Sequence, residues 1–303
     1  MEQFFVFTGR NLKSYFRDRG SVFFSLLSMF IVIVLMVFFL GDMYIENTVA
    51  ILGEFPGRDA AVDRENAELL ILIWNFAGIL SINAVTVTLA VYSVMIKDRV
   101  TGKMNSIYTA PVSRGIITGG YMAAAWTASV LVCTITLFIT EIYGIIKGMD
   151  AFSPLTHVQL IGLILVNSFV YAAFMYLLAM AAKTEGAWSG IGTVIGTLVG
   201  FLGGIYIPIG SLSPAIGTLM KCTPIIYGTS MFRSVMTEAV AEITFSGVPE
   251  EVLEEYRIVT GIHLDVFDRT IGITEEWLGL FLCGILLLAA GIMALKYGRK
   301  SDR

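Results

Sequence analysis

Six stretches of this chain contain no Asp, Glu, Lys or Arg: residues 22–40, 69–96, 116–140, 158–182, 187–207 and 278–295. A hydrocarbon layer of about 30 Å takes roughly 17–25 apolar residues to cross as helix, and each stretch supplies that length. A backbone in hydrocarbon has no water to bond, so segments of this kind must close their hydrogen bonds internally as helices. The expectation is an all-α membrane protein with six transmembrane helices. Composition agrees, with 56% of residues hydrophobic and 15% charged, where soluble chains carry about a quarter charged. The segments between the spans are too short for a separate soluble domain, so 1–303 reads as one transmembrane domain. Arg17 and Arg19 precede the first span as in a secretory signal, but Leu40-Gly41-Asp42-Met43 follows it without a small-x-small cleavage site. It reads as an uncleaved signal anchor.

Basic residues set the orientation. With the N-terminus inside, segments 1–21, 97–115, 183–186 and 296–303 hold thirteen basic and five acidic residues, a net +8. The opposite side holds seven basic and nineteen acidic, a net −12. Both termini are therefore expected in the cytoplasm, in a multi-pass cell-membrane protein whose whole-chain charge of −4 averages two unlike faces.

Residues 3–18 read as an amphipathic helix lying in the inner interface. Phe4, Phe5, Leu12, Tyr15 and Phe16 fall within about 120° of the circumference at 3.6 residues per turn, with Arg10, Lys13 and Arg17 opposite. The lipid bilayer is thus a partner of this chain, through the apolar face and through headgroup attraction of the basic one. Residues 41–68 read as an acidic outer loop, 141–157 as a second outer link, and 183–186 as a short inner one. Between spans five and six, 208–233 is apolar but interrupted by Pro208, Pro214 and Pro224, which predicts outer re-entrant helices rather than a span. An acidic insert follows at 237–276. Within it Pro249-Glu250-Glu251 opens a helix with acids in the first turn, and Gly261 lies just past its end.

Absences narrow the function. Ion-coupled carriers keep ionisable groups at the membrane midplane, and these spans have none. No nucleophile has a base beside it, so no catalytic residue is assigned. No GxxxxGK[ST] phosphate loop exists, so any ATP-driven work needs a nucleotide site on another subunit. Cys133, Cys222 and Cys283 are odd in number and form no CxxC, and His157 and His263 lie far apart, which points to neither a disulfide framework nor a metal site. Nothing in the pattern points to nucleic acid.

Two span faces stand out. Gly192, Gly196, Gly200 and Gly204 recur every four residues in span five, a face without side chains that admits a neighbouring backbone and could also serve as a gate. Ser189, Thr193 and Thr197 run beside it. In span two, Asn75, Asn83, Thr86 and Ser93 lie within about 80° of one face, to bond neighbouring helices or to line a polar path. Trp277 and Tyr297 bracket span six as interface anchors.

After span two the chain reads Lys97-Asp98-Arg99-Val100-Thr101-Gly102-Lys103-Met104, then Ile107 and Pro111-Val112-Ser113-Arg114. This resembles the cytoplasmic signature of type-2 ABC exporter permeases: a charged cluster, a glycine, and Pro-x-Ser-Arg nine residues later. Two positions depart, Val100 where the family has Glu and Lys103 where it has Thr. After span five, Gly204-Ile205-Tyr206-Ile207-Pro208, then Pro214, Pro224 and Arg233, are similar to the family's outer re-entrant pair. The resemblance covers nearly the whole chain, leaving out the acidic insert. It implies a permease, not itself an enzyme, working as two protomers, identical or not, with separate ABC ATPase subunits that hold ATP and magnesium. Asp98, Arg99, Gly102, Ile107, Pro111 and Arg114 would belong to the coupling loop at 97–115. Asn75, Asn83, Thr86, Thr193 and Thr197 would line the path. The alternative is a secondary carrier or channel not driven by ATP.

Overall fold

A computed structural model describes residues 2–109, 111–266, 269 and 272–298, with backbone alone at 37, 108 and 294–298. The described chain is all-helical: α1 (Glu2–Arg17), α2 (Arg19–Leu35), α3 (Gly41–Leu52), α4 (Ala60–Val100), α5 (Lys103–Thr109), α6 (Arg114–Ile146), α7 (Pro154–Ala181), α8 (Glu185–Leu202), α9 (Pro214–Lys221), α10 (Pro224–Thr244), α11 (Glu250–Thr260) and α12 (Ile273–Gly298). Five helical segments are long and apolar enough to cross a membrane: Arg19–Leu52, Ala60–Val100, Arg114–Ile146, Pro154–Ala181 and Ile273–Met293. The fifth expected span, 187–207, which holds α8, stands outside that set. It has 18 residues, and its glycines, Ser189, Thr193 and Thr197 dilute its apolar character.

Side chains mark where helices restart. Asp59 caps α4 by accepting the Ala61 N–H at 2.8 Å. Ser113 caps α6 and Ser153 caps α7, with Pro154 in the first turn. Each satisfies an amide that a helix start leaves without a partner. Pro214 and Pro224 likewise open α9 and α10 rather than break them, since a first-turn residue needs no N–H. The expected helix over Glu250–Thr260 is present, and Gly261 ends it in the left-handed conformation.

The outer loop expected at 41–68 is mostly helix instead. A π-helical turn over Met36–Leu40 carries α2 into α3, and α4 has begun by Ala60. The wide turn brings the Met36 carbonyl so close that a Cβ on Gly41 would sit 2.5 Å from its oxygen, so the bulge requires glycine. Thr48 and Leu52 of α3 are buried, and α3 packs against α4, which draws this acidic segment into helix. Only 53–59 remain as a link. Arg58 clamps it, bonding Asp63 at 2.6 Å and the carbonyls of Thr244 and Ser246 at 2.7 Å.

Around α4 the other helices assemble. It spans 41 residues, about 60 Å at 1.5 Å per residue, and packs against α6, α10, α7, α2 and α3. Leu70, Ile73, Ala77, Leu80, Ala84, Val87 and Tyr92 are fully or almost fully buried along it. α12 lies on α7, and its Trp277 is half-buried. The Tyr297 side chain lies outside the described residues.

α1 docks on α6 through a face offset from the expected one. Thr8, Asn11 and Tyr15 are buried, and the Tyr15 hydroxyl pairs with Ser25 at 2.7 Å. Phe5 and Phe16 remain exposed. The helix has a protein side and an apolar outer side, so its five apolar residues do not share one fate.

Candidate coupling loop and translocation face

At the end of α4, the side chains of the charged cluster turn inward. Asp98 is 4% exposed and takes a two-pronged bond from Arg10 of α1, at 2.6 and 2.8 Å. The Tyr121 hydroxyl of α6 donates to the same carboxylate at 2.7 Å. This joins α1, α4 and α6 at one buried acid, and the Asp98 carboxylate holds the Arg10 guanidinium above its ordinary pKa. Arg99 reaches the opposite way and donates to the carbonyls of Ala179 and Ala182, capping the end of α7 at 3.0 and 2.7 Å.

Beyond these anchors, Thr101 ends α4 and Gly102 turns the chain at φ +74°, a conformation that strongly favours glycine. α5 follows as a separate helix. Met104 is buried and Ile107 half-buried, while Lys103, Asn105, Ser106 and Thr109 face outward. Pro111 and Arg114 are exposed at the start of α6. The loop is thus a short helix presented on a fixed base, with its outward face polar.

The polar face of α4 is enclosed by protein. Asn83 donates to Thr136 of α6 at 3.0 Å and lies 3.5 Å from the Met29 sulfur of α2. Thr86 bonds back to the Ile82 carbonyl, and the Asn75 side-chain amide oxygen is buried with no hydrogen-bond partner among the described residues. Thr193 and Thr197 of α8 are exposed, each bonded to a carbonyl four residues earlier. They line a groove of about 890 Å³ between α2, α4 and α8, so the two sets of path candidates do not meet in one cavity of the single chain.

The four glycines divide as well. A Cβ on Gly192 would meet Leu89 at 3.5 Å, and one on Gly196 would meet nothing within 4 Å. A Cβ on Gly200 would strike the Tyr206 ring. Gly204 lies beyond the end of α8, with φ +62°. The tandem Gly203-Gly204 ends the helix before the stripe reaches its fourth glycine. Among the described residues, no neighbouring backbone comes within 4 Å of a Cβ at Gly196.

Arg233 has the most enclosed charge among the described residues. It is fully buried on α10, its guanidinium 3.8 Å from the centre of the Trp74 ring, and it donates to the carbonyls of Gly204 and Thr260 at 3.0 and 3.2 Å. Trp74 also donates to Thr260, and Tyr44 to the Tyr206 carbonyl. One arginine thus ties α4, α10, the turn after α8 and the end of α11. Pro208, Pro214 and Pro224 set the turns of the segment that it gathers. Trp74, Arg10 and Tyr121 carried no site assignment in the sequence reading. The one available signal was Asp98, an acid on the basic side that called for a cation within reach.

No curated protein matches this chain. The family model for ABC-2 type transporters matches residues 2–237, which takes in α1, the loop carrying α5, α8 and most of α10. That family supplies the permease component of ABC transporters and implies an ATPase partner and a lipid membrane. With several apolar helices of spanning length and a match over most of its residues, this chain belongs to the ABC-2 type transporter family, as a multi-pass membrane permease.

Proposed function

We propose that this chain is the export permease of an ABC transporter, with α5 as the helix that receives the ATPase subunit. The carrying observation is the construction of the loop. A polar-faced helix set off by Gly102 rests on two charged anchors, Asp98 to α1 and α6 and Arg99 to α7. Force applied to such a helix passes to three spans and the N-terminal helix together, because its base is tied to each. Asp98 and Arg99 then act by holding the loop, and Gly102, Ile107, Pro111 and Arg114 shape what the partner meets. ATP and magnesium reside on that partner. Both termini lie in the cytoplasm, α8 crosses the membrane as span five to complete a set of six, and α9 with the start of α10 forms the outer re-entrant pair. A second protomer covers the open face at Gly196, so that α4 and α8 of both copies border the path.

The test is association. Gly102→Pro replaces a residue at positive φ by one locked near −65°. The variant should insert normally but co-purify with the ATPase subunit at least about tenfold less, with loss of permease-stimulated ATP hydrolysis. Wild-type association and stimulation would remove α5 from the interface.

A further inference from the structure

Where α12 begins against α10 lies a cavity of about 680 Å³, separate from the coupling loop and from the groove beside α8. Its wall is largely carbon and sulfur, from Pro224, Tyr227, Leu280, Cys222 and Cys283. Glu276 belongs to that wall. It is 3% exposed, and its Oε2 has no hydrogen-bond partner among the described residues. Its Oε1 lies 3.2 Å from the Ser230 hydroxyl, but that hydroxyl has one proton and the Ile262 carbonyl is closer, at 2.8 Å. Neighbouring charge does not relieve it, because Arg269 at the cavity rim is engaged by Glu275 at 2.7 Å. A buried carboxylate with an unused oxygen is costly unless something donates to it. Oε2 is buried as it stands, but the terminal torsion of glutamate is broad, so a modest rotation would bring it to the cavity that Glu276 lines.

We propose that this cavity binds an organic cation, a primary or secondary amine on an apolar body. The volume lies within the range of small-molecule sites, and such sites pair an apolar lining with a few placed polar groups. An ammonium N–H supplies the donor that Oε2 lacks, as a charge-assisted bond in a low-dielectric wall. An anion is opposed by the same carboxylate. The assignment holds whether or not the chain is an exporter, since it concerns binding alone.

The experiment uses the purified full chain in lipid nanodiscs, with empty nanodiscs to subtract partition into lipid. The probes are 1-naphthylmethylamine and its neutral counterpart 1-naphthylmethanol, followed by fluorescence. Saturable binding of the amine, at least tenfold tighter than the alcohol, is expected. Glu276→Gln should erase that difference while the melting profile stays cooperative. Gly279→Phe provides a second arm: Gly279 lines the cavity and a Cβ there meets nothing within 4 Å, so the ring enters the space while Glu276 itself is unchanged. It should weaken the amine at least tenfold, and bound amine should slow alkylation of the exposed Cys222. Equal binding of amine and alcohol, or amine binding unchanged by Gly279→Phe, would overturn the proposal even if Glu276→Gln does not fold.

Discussion

At the scale of single residues, the informative side chains are charges withdrawn from solvent. Asp98 accepts from Arg10 and Tyr121 in a buried setting, so removing the cation leaves an acid with too few donors. Arg10→Ala should cost about 1–3 kcal/mol, the price of an under-satisfied buried group. The Arg10→Ala, Asp98→Ala double variant should lose less than the two single losses combined, read as thermal midpoints in detergent. Strict additivity would mean that α1 is held by its apolar contacts alone. Arg233 makes a sharper case. Its plane lies against Trp74 while its ends bond two carbonyls, which the tetrahedral ammonium of lysine cannot reproduce. Arg233→Lys should therefore fall close to Arg233→Met in stability, about 3–6 kcal/mol below wild type on the scale of two charged hydrogen bonds. Near-wild-type melting of the lysine variant would show that charge alone matters there.

At the scale of elements, two glycine-bearing helices behave in opposite ways. At the start of α3, just past the π turn, Gly41 faces the Met36 carbonyl oxygen 2.5 Å from where a Cβ would stand. Gly41→Ala should destabilise by about 1–3 kcal/mol, since a rigid backbone atom must move. In α8, Gly196 has open space in the single chain, so Gly196→Leu should leave the protomer's melting unchanged. If a second protomer covers that face, the same substitution should abolish transport and loosen the dimer. Helix association in lipid rests on close packing rather than on hydrophobic exclusion. Wild-type transport by Gly196→Leu would leave the face to lipid. Gly200→Leu is expected to fail differently, because its obstacle is the chain's own Tyr206 ring.

For the whole molecule, the question is which end faces the cytoplasm. The exposed Cys222 follows α9, far along the chain from α5, and serves as a native reporter. A membrane-impermeant thiol reagent should label Cys222 in intact cells. In a Cys222→Ser background, the exposed position 255 should label as Glu255→Cys, and Lys103→Cys on α5 only after the membrane is opened. The reverse pattern would invert the topology and remove α5 from the ATPase side.

Long-range structure entered the sequence only in part, and the reasons are physical. Charge-free stretches of spanning length dictate helices by themselves, because unpaired backbone cannot remain in hydrocarbon, and five of the six expected spans contain or overlap helices of that kind. Local punctuation was equally legible: Pro249 and Gly261 bound α11, and the prolines mark where α9 and α10 begin. Such signals act within one turn of helix, so composition and order suffice to read them. Contacts made across the chain were not legible. Nothing near Asp98 in sequence names Arg10, 88 residues away, or places Trp74 against Arg233. The acidic segment at 41–52 became helix because α4 offered it a surface, and the polar face of α4 closed because α6 presented Thr136. Sequence periodicity determines which residues share a face; only tertiary packing decides what that face meets, because the partner comes from a distant part of the chain.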